Sequence, residues 1–282
     1  MRARLERVAG TFVTGFHAAL ECEPTHDLPD ELARVDLELG GFAFEGAAMA
    51  LALLDRLTPW PANRVRQFLQ GAGGAHTYMV HVGVGWMWAR MPFGFRRAQR
   101  KLDPLLGWLA LDGWGFHEGF FHGEKYRSGG EPPRQLADYE CRAFDQGVGR
   151  SLWFSHGGNV ELIAPTVSNF SSARRADLWS GLGLAATYAG GADESTLAAL
   201  RERSGAHRAH LAQGAAFAAK ARQRAGNATA YTDFATRALC DLSVAEAARL
   251  TDATLENLPA DSAEPAFEVW RCRIQSHFAS QR

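Results

Sequence analysis

Leu178-Trp179-Ser180-Gly181-Leu182-Gly183-Leu184-Ala185-Ala186-Thr187-Tyr188 is an apolar run of helix length with two glycines at its centre. The stop signal Gly190-Gly191-Ala192-Asp193 follows it. At its core is a cassette: a residue that is usually polar, then Gly, any residue, then Gly or Ala. The cassette recurs as Glu45-Gly46-Ala47-Ala48, Val82-Gly83-Val84-Gly85, Asp112-Gly113-Trp114-Gly115, Gln146-Gly147-Val148-Gly149, Ser180-Gly181-Leu182-Gly183 and Gln213-Gly214-Ala215-Ala216. The first glycines are separated by steps of 37, 30, 34, 34 and 33 residues. A period near 34 marks stacked helical hairpins.

Glycine inside a helix costs about 1 kcal/mol relative to alanine. A chain that accepts it repeatedly recovers the loss by close helix crossing. Positions two apart lie about 200° apart around a helix, so each cassette thins two opposite flanks. The expected class is all-α: a tetratricopeptide-like array of stacked hairpins, about six repeats of ~34 residues. Residues 1–282 read as one helical-repeat domain, with the loop 123–133 as a softer division.

Composition narrows the function. Apolar residues make up 46% of the chain and charged residues 22%, ordinary for a packed globular protein. Thirty basic residues face 31 acidic ones, so no global field draws nucleic acid or an acidic membrane. Cys22, Cys141, Cys240 and Cys272 show no paired spacing, which fits a reducing compartment and small buried thiols. The N-terminus lacks a clean apolar region and no window approaches a spanning length. A cytoplasmic protein with no membrane span is expected.

An entry helix is predicted over 5–20, with Leu5, Val8, Phe12, Val13, Phe16 and Leu20 on one stripe and Pro24 and Pro29 ending it. Helices follow at about 42–57 (closing before Pro59-Trp60-Pro61), 62–70, 75–91 and 104–122, the last with Pro104 in its first turn. Gly123 to Pro133 reads as a surface excursion or lid. Further helices fall near 135–155, 159–170, 173–189, 194–203, 207–225, 229–241, 244–257 and 265–279, with Asp193 and Asn227 as N-caps. The basic cluster Arg96, Arg97, Arg100 and Lys101 reads as a solvated face rather than a binding patch.

The residues before the cassette glycines form a column: Glu45, Val82, Asp112, Gln146, Ser180 and Gln213. Such a column lines a groove or makes buried hydrogen bonds between neighbouring hairpins. His76, His81, His117 and His122 sit on the two helices richest in aromatics. His117-Glu118-Gly119-Phe120-Phe121-His122 fails as a zinc-protease motif, because its second His is five residues on. A metal would need ligands from several helices; Glu45, His81, Asp112 and His117 are the candidates, a set suited to a non-haem metal ion. They also serve as candidate acid/base residues. Arg150, Arg174 and Arg175 either hold an anionic group or pair with Asp145 and Asp177. Neither a nucleophile elbow nor a phosphate or dinucleotide loop is present.

The stretches Gly41 to Met49, His76 to Gly83, Leu111 to Gly119, Phe144 to Phe154 and Arg174 to Gly181 together resemble a family of unknown-function proteins encoded beside enediyne polyketide synthases in actinomycetes. The resemblance runs from about Gly15 to His277 and carries no established catalytic residues. It implies an accessory role on the linear polyene that the synthase makes, by oxidation, desaturation or cyclisation. A rod-like apolar substrate suits an aromatic groove with few polar groups. Tyr78, Trp86, Trp114 and Phe116 are its candidate apolar walls, and Gln146, Arg150 and Gln213 its polar contacts. The alternative is a non-catalytic helical scaffold that binds or shields the polyene, or docks other pathway proteins.

Overall fold

A computed structural model describes residues 1–22, 27–58, 63–261 and 264–280. In chain order its helices are α1 (Arg2–Glu21), α2 (Asp27–Ala33), α3 (Gly40–Leu57), α4 (Arg64–Gln70) and α5 (Thr77–Arg90). Next come α6 (Phe95–Gln99), α7 (Leu109–Phe121), α8 (Gly123–Arg127), α9 (Tyr139–Ser155) and α10 (Val160–Ser168). The chain continues through α11 (Ser172–Ala189), α12 (Glu194–Ser204), α13 (Arg208–Arg224), α14 (Ala230–Cys240), α15 (Val244–Ala253) and α16 (Ala266–Ala279). Among the described residues there is no strand, and the class is all-α.

The long odd-numbered helices α1 to α13 pack in sequence order, each against the next, and the short helices between them touch them far less. Glycine explains how. A Cβ on the first Gly of a cassette would strike a carbonyl of the preceding long helix: Gly83 meets Glu45 O, Gly113 meets Val82 O, Gly147 meets Asp112 O, Gly181 meets Gln146 O and Gly214 meets Ser180 O. Each carbonyl belongs to the residue just before the preceding cassette's Gly. The second glycine faces the following helix: Gly85 meets Ala110 O, Gly115 meets Phe144 O, Gly149 meets Leu178 O and Gly183 meets Leu211 O. Backbones this close gain dispersion and Cα–H···O contacts of about 0.5–1 kcal/mol each, which offsets the helix-propensity cost.

The period extends one step further back than the six copies. Gly46 meets Phe12 O and Gly15 meets Ala43 O. Phe12-Val13-Thr14-Gly15 is thus a degenerate copy, its Val13 standing 33 residues before Gly46. This geometry also corrects the entry stripe: Leu5, Val8, Gly15 and Ala19 are buried, whereas Val13 and Leu20 are exposed.

Later helices return to the earliest ones. Arg4 Nε donates to Ala189 O at 2.8 Å, and Arg222 donates to Glu38 O and Tyr188 O at 2.5 Å each. The Tyr188 ring packs edge-on against Phe42 at 5.2 Å, with its hydroxyl over Gly41, where a side chain would collide with it.

Several boundaries move for local reasons. Asp103 Oδ1 accepts the N–H groups of Leu105 and Leu106, and a 3₁₀ turn at Leu106–Trp108 follows, so α7 starts at Leu109 and Pro104 lies outside it. Asp193 caps α12 as expected, but Thr229 caps α14 through a capping box. Asn227 is buried instead and donates to Leu37 O at 3.2 Å. Pro29 lies inside α2, while Pro24 and Pro59-Trp60-Pro61 lie outside the described residues. The stretch 123–133 is pinned rather than free: α8 buries Tyr126, and Arg174 holds the carbonyls of Gly129 and Gly130. On either side of it, α7 and α9 cross through glycine as the other pairs do. Cys240 is buried, the other three cysteines are half-buried, and all are free thiols.

Candidate functional site: a buried polar relay beneath an aromatic surface

The polar column becomes a hydrogen-bonded relay through the core. On α3, Glu45 Oε1 accepts from Trp86 Nε1 of α5 at 3.0 Å. Trp86 thereby supplies, one turn later, the polar group that Val82 lacks. Arg150 of α9 ion-pairs with Asp112 of α7 and stands 3.9 Å from Glu45. Gln146 Nε2 donates to Asp112 Oδ2 at 2.7 Å. Ser180 Oγ lies 3.1 Å from Gln146 Oε1 and 2.8 Å from Gln213 Oε1, and gives its one proton to either. Gln213 Oε1 also accepts from Arg271 Nε at 3.3 Å and Gln275 Nε2 at 3.2 Å.

The relay ends in a charge cluster. Arg271 donates to Asp177 Oδ1 at 2.8 Å and to Glu268 Oε2 at 2.9 Å. Tyr139 OH donates to Glu268 Oε2 at 2.8 Å, and Arg142 reaches both carboxylates from the surface side. Every side chain from Glu45 to Arg271 in this relay is buried. Buried charges demand this pairing. Of the two readings of the column, hydrogen bonding between helices is the one the geometry makes.

Above the Glu45 end lies an aromatic surface. Trp86 packs against Phe12 at 4.5 Å and Phe116 at 5.2 Å. Phe116 stacks on Phe120 at 5.9 Å and meets Phe154 edge-on at 5.1 Å. Arg150 lies under the Phe116 ring, 5.0 Å from its centroid. Phe120 and Phe121 are exposed. His117 stands edge-on to Trp86 at 5.6 Å, and neither of its buried nitrogens has a hydrogen-bond partner. Its nearest acid, Glu118, is 3.5 Å away without hydrogen-bonding geometry. Its Nε2 is left without any polar neighbour, an uncommon state for a buried ring nitrogen.

Burial pushes the Glu45 carboxyl up to about 7, against the pull of Arg150 and the Trp86 N–H, with Asp112 adding to the rise. An acid poised near neutrality is the form that exchanges protons efficiently. Linkage gives the sign of its effect on stability. Between its ordinary 4.5 and about 7, the folded state holds a proton that the unfolded chain has lost. Stability therefore falls as pH rises through that window and is level above it. Asp145, pushed up to about 6 by burial against the pull of Arg174, acts in the same direction. Urea unfolding of wild type and Glu45→Gln from pH 4.5 to 8 should show the variant losing on the order of 3 kcal/mol less across the window. A gap between the two that does not change with pH would contradict the assignment.

The structure thus brings Glu45, Asp112, Trp86, Phe116, His117, Gln146 and Arg150 into one region. It does not bring in His81, whose Nδ1 contacts Thr77 O at 2.7 Å. Trp114 packs against Phe95 at 5.3 Å, Tyr78 is buried without a polar contact to the relay, and Gln213 lies at the relay's far end. Among the described residues, no three His, Cys, Asp or Glu side chains converge on a cation position. The four-residue metal set of Glu45, His81, Asp112 and His117 is therefore not assembled, because Asp112 is spent on Arg150 and His81 on Thr77. Arg174 pairs with Asp145 at 2.6 Å as expected, whereas Arg150 pairs with Asp112, and Asp177 is held by Arg142 and Arg271.

Arg271 had no sequence motif to mark it. The available signal was Glu268, Arg271 and Gln275 recurring at helical spacing in phase with Phe267, Trp270 and Ile274, a charged seam inside an apolar face.

Fold and site define an all-helical protein whose crossings are built on glycine and whose interior carries an ionised relay. The chain belongs to DUF1702, a family of proteins of unknown function whose profile spans residues 1–278. No curated protein and no solved structure matches it. No helix among the described residues is long and apolar enough to cross a membrane.

Proposed function

We propose that this protein is an accessory factor in enediyne assembly that transfers protons to and from the linear polyene of the enediyne polyketide synthase. The supporting observation is Glu45, a buried carboxyl near neutral pKa at the base of an aromatic surface. In this reading Trp86, Phe116, Phe120 and Phe121 hold the conjugated chain by stacking. Protonated Glu45 gives its proton to one carbon of the polyene. In a cyclisation a neighbouring double bond of the chain attacks the cation so generated to form a carbon–carbon bond; in an isomerisation no such bond forms. In both, the loss of a neighbouring proton to the Glu45 carboxylate restores the acid. The net change is a cyclisation or double-bond isomerisation with atoms and electrons balanced, so no oxidant is consumed. Arg150 and Asp112 hold Glu45 in place, and His117 packs edge-on against Trp86 beside it. The helical array, taken as a repeat scaffold of the tetratricopeptide kind, gives the cytoplasmic pathway enzymes a surface to dock on.

Reconstitution of the synthase with and without this protein in deuterated water, read by mass spectrometry, tests the reading. Wild type should yield a cyclised or isomerised product carrying carbon-bound deuterium. Glu45→Gln should lower its rate at least about 100-fold. Conversion by Glu45→Gln at the wild-type rate would overturn the catalytic role. Binding of the polyene without any change by wild type would replace it with a carrier.

A further inference from the structure

On another side of α5 lies a cleft of about 760 Å³ between the end of α3, α4, α5 and α6, within the size range of small-molecule sites. Leu69, Met87, Trp88, Met91 and Phe95 give it an apolar lining. Arg56, Arg66, Arg97 and Lys101 also line it, all exposed, and none has an ion-pair partner among the described residues. The two acids present are already engaged. Asp55 accepts the N–H groups of Arg64 and Val65 at 2.9 and 3.1 Å, and Asp103 caps the turn before α7. Trp88 is almost fully buried, and its indole N–H has no acceptor. The cleft therefore combines an oily floor, one unused buried donor and an excess of positive charge, four cations against two carboxylates.

We infer that this cleft binds a molecule with a single apolar chain ending in a carboxylate. The chain covers the methionines and aromatics, and the head meets the arginines and lysine. A carboxylate fits better than a phosphate, because the cations are all at the solvated rim and no buried cation repays stripping water from a dianion. Arginine's planar fork matches a carboxylate's two oxygens. The site is separate from Glu45 and does not depend on the polyene reading.

The test uses the full chain and cis-parinaric acid, a conjugated fatty acid whose fluorescence rises in apolar surroundings, beside its methyl ester. The acid should bind about ten-fold tighter than the ester at low salt, with the gap narrowing as ionic strength rises. The double variant Arg97→Gln/Lys101→Gln, on exposed positions, leaves Arg56 and Arg66 in place and should narrow the gap at least about three-fold while ester binding stays unchanged. Ala98→Trp, which fills the cleft from a half-buried position, should weaken both probes, and Glu45→Gln should affect neither. Equal binding of acid and ester by wild type, or no change in the charge variant, overturns the inference. Dodecyl phosphate displacing the probe better than dodecanoate overturns the carboxylate assignment.

Discussion

Arg271→Met is expected to lower the free energy of unfolding by about 3 kcal/mol or more, measured by urea denaturation at pH 7. Arg271 is fully buried and serves Asp177, Glu268, Tyr139 and Gln213 together. Removing it leaves two carboxylates in the core with only the half-exposed Arg142 to face them. The large term is the stranded charge, not the lost contact. A triple variant, Arg271→Met with Asp177→Asn and Glu268→Gln, should therefore recover much of the loss, since neutral partners need no cation. If the triple variant is no more stable than the single one, packing by the guanidinium stem dominates and the charge argument fails.

The second large effect comes from adding one methyl group. Gly147→Ala would set its Cβ into Asp112 O and 2.6 Å from Phe116 N, both backbone atoms of α7 that cannot rotate away. The helices must separate along their crossing, and we expect a loss of at least about 3 kcal/mol. Gly10→Ala provides the opposite outcome in the same fold. A Cβ there meets nothing within 4 Å, so only helix propensity acts, and a gain of up to about 1 kcal/mol is expected. Paired thermal melts of the two variants suffice. Equal and small shifts in both would mean that the crossings can widen without penalty.

Much of the architecture was legible in the chain because a small-residue period leaves a mark at every copy. The cassettes from Gly46 to Gly214 each locate a crossing, and Asp193 announces its helix. Phe12-Val13-Thr14-Gly15 is masked because valine, not glycine, stands at its first thin position, although its spacing fits. The column of Glu45, Asp112, Gln146, Ser180 and Gln213 was also readable, but its neighbours were not. Helical phase tells which residues share a face, and it does not tell which distant helix that face meets. Arg150 pairing with Asp112 instead of Asp145, and Arg271 reaching Asp177 across 94 residues, depend on that meeting. The same limit placed His81 beside Glu45. Both sit on cassette helices, but His81 turns to Thr77 O.

The Asp177 pair has a consequence for how the protein is made. A ribosome delivers Arg142 on α9 and the acid on α11 well before the guanidinium on α16, so every nascent intermediate in between holds Asp177 with one of its two cations. Only the inner side of that carboxylate waits for the last partner to arrive. In ribosome-bound chains the pocket that Arg271 fills should accordingly stay open to solvent until α16 emerges.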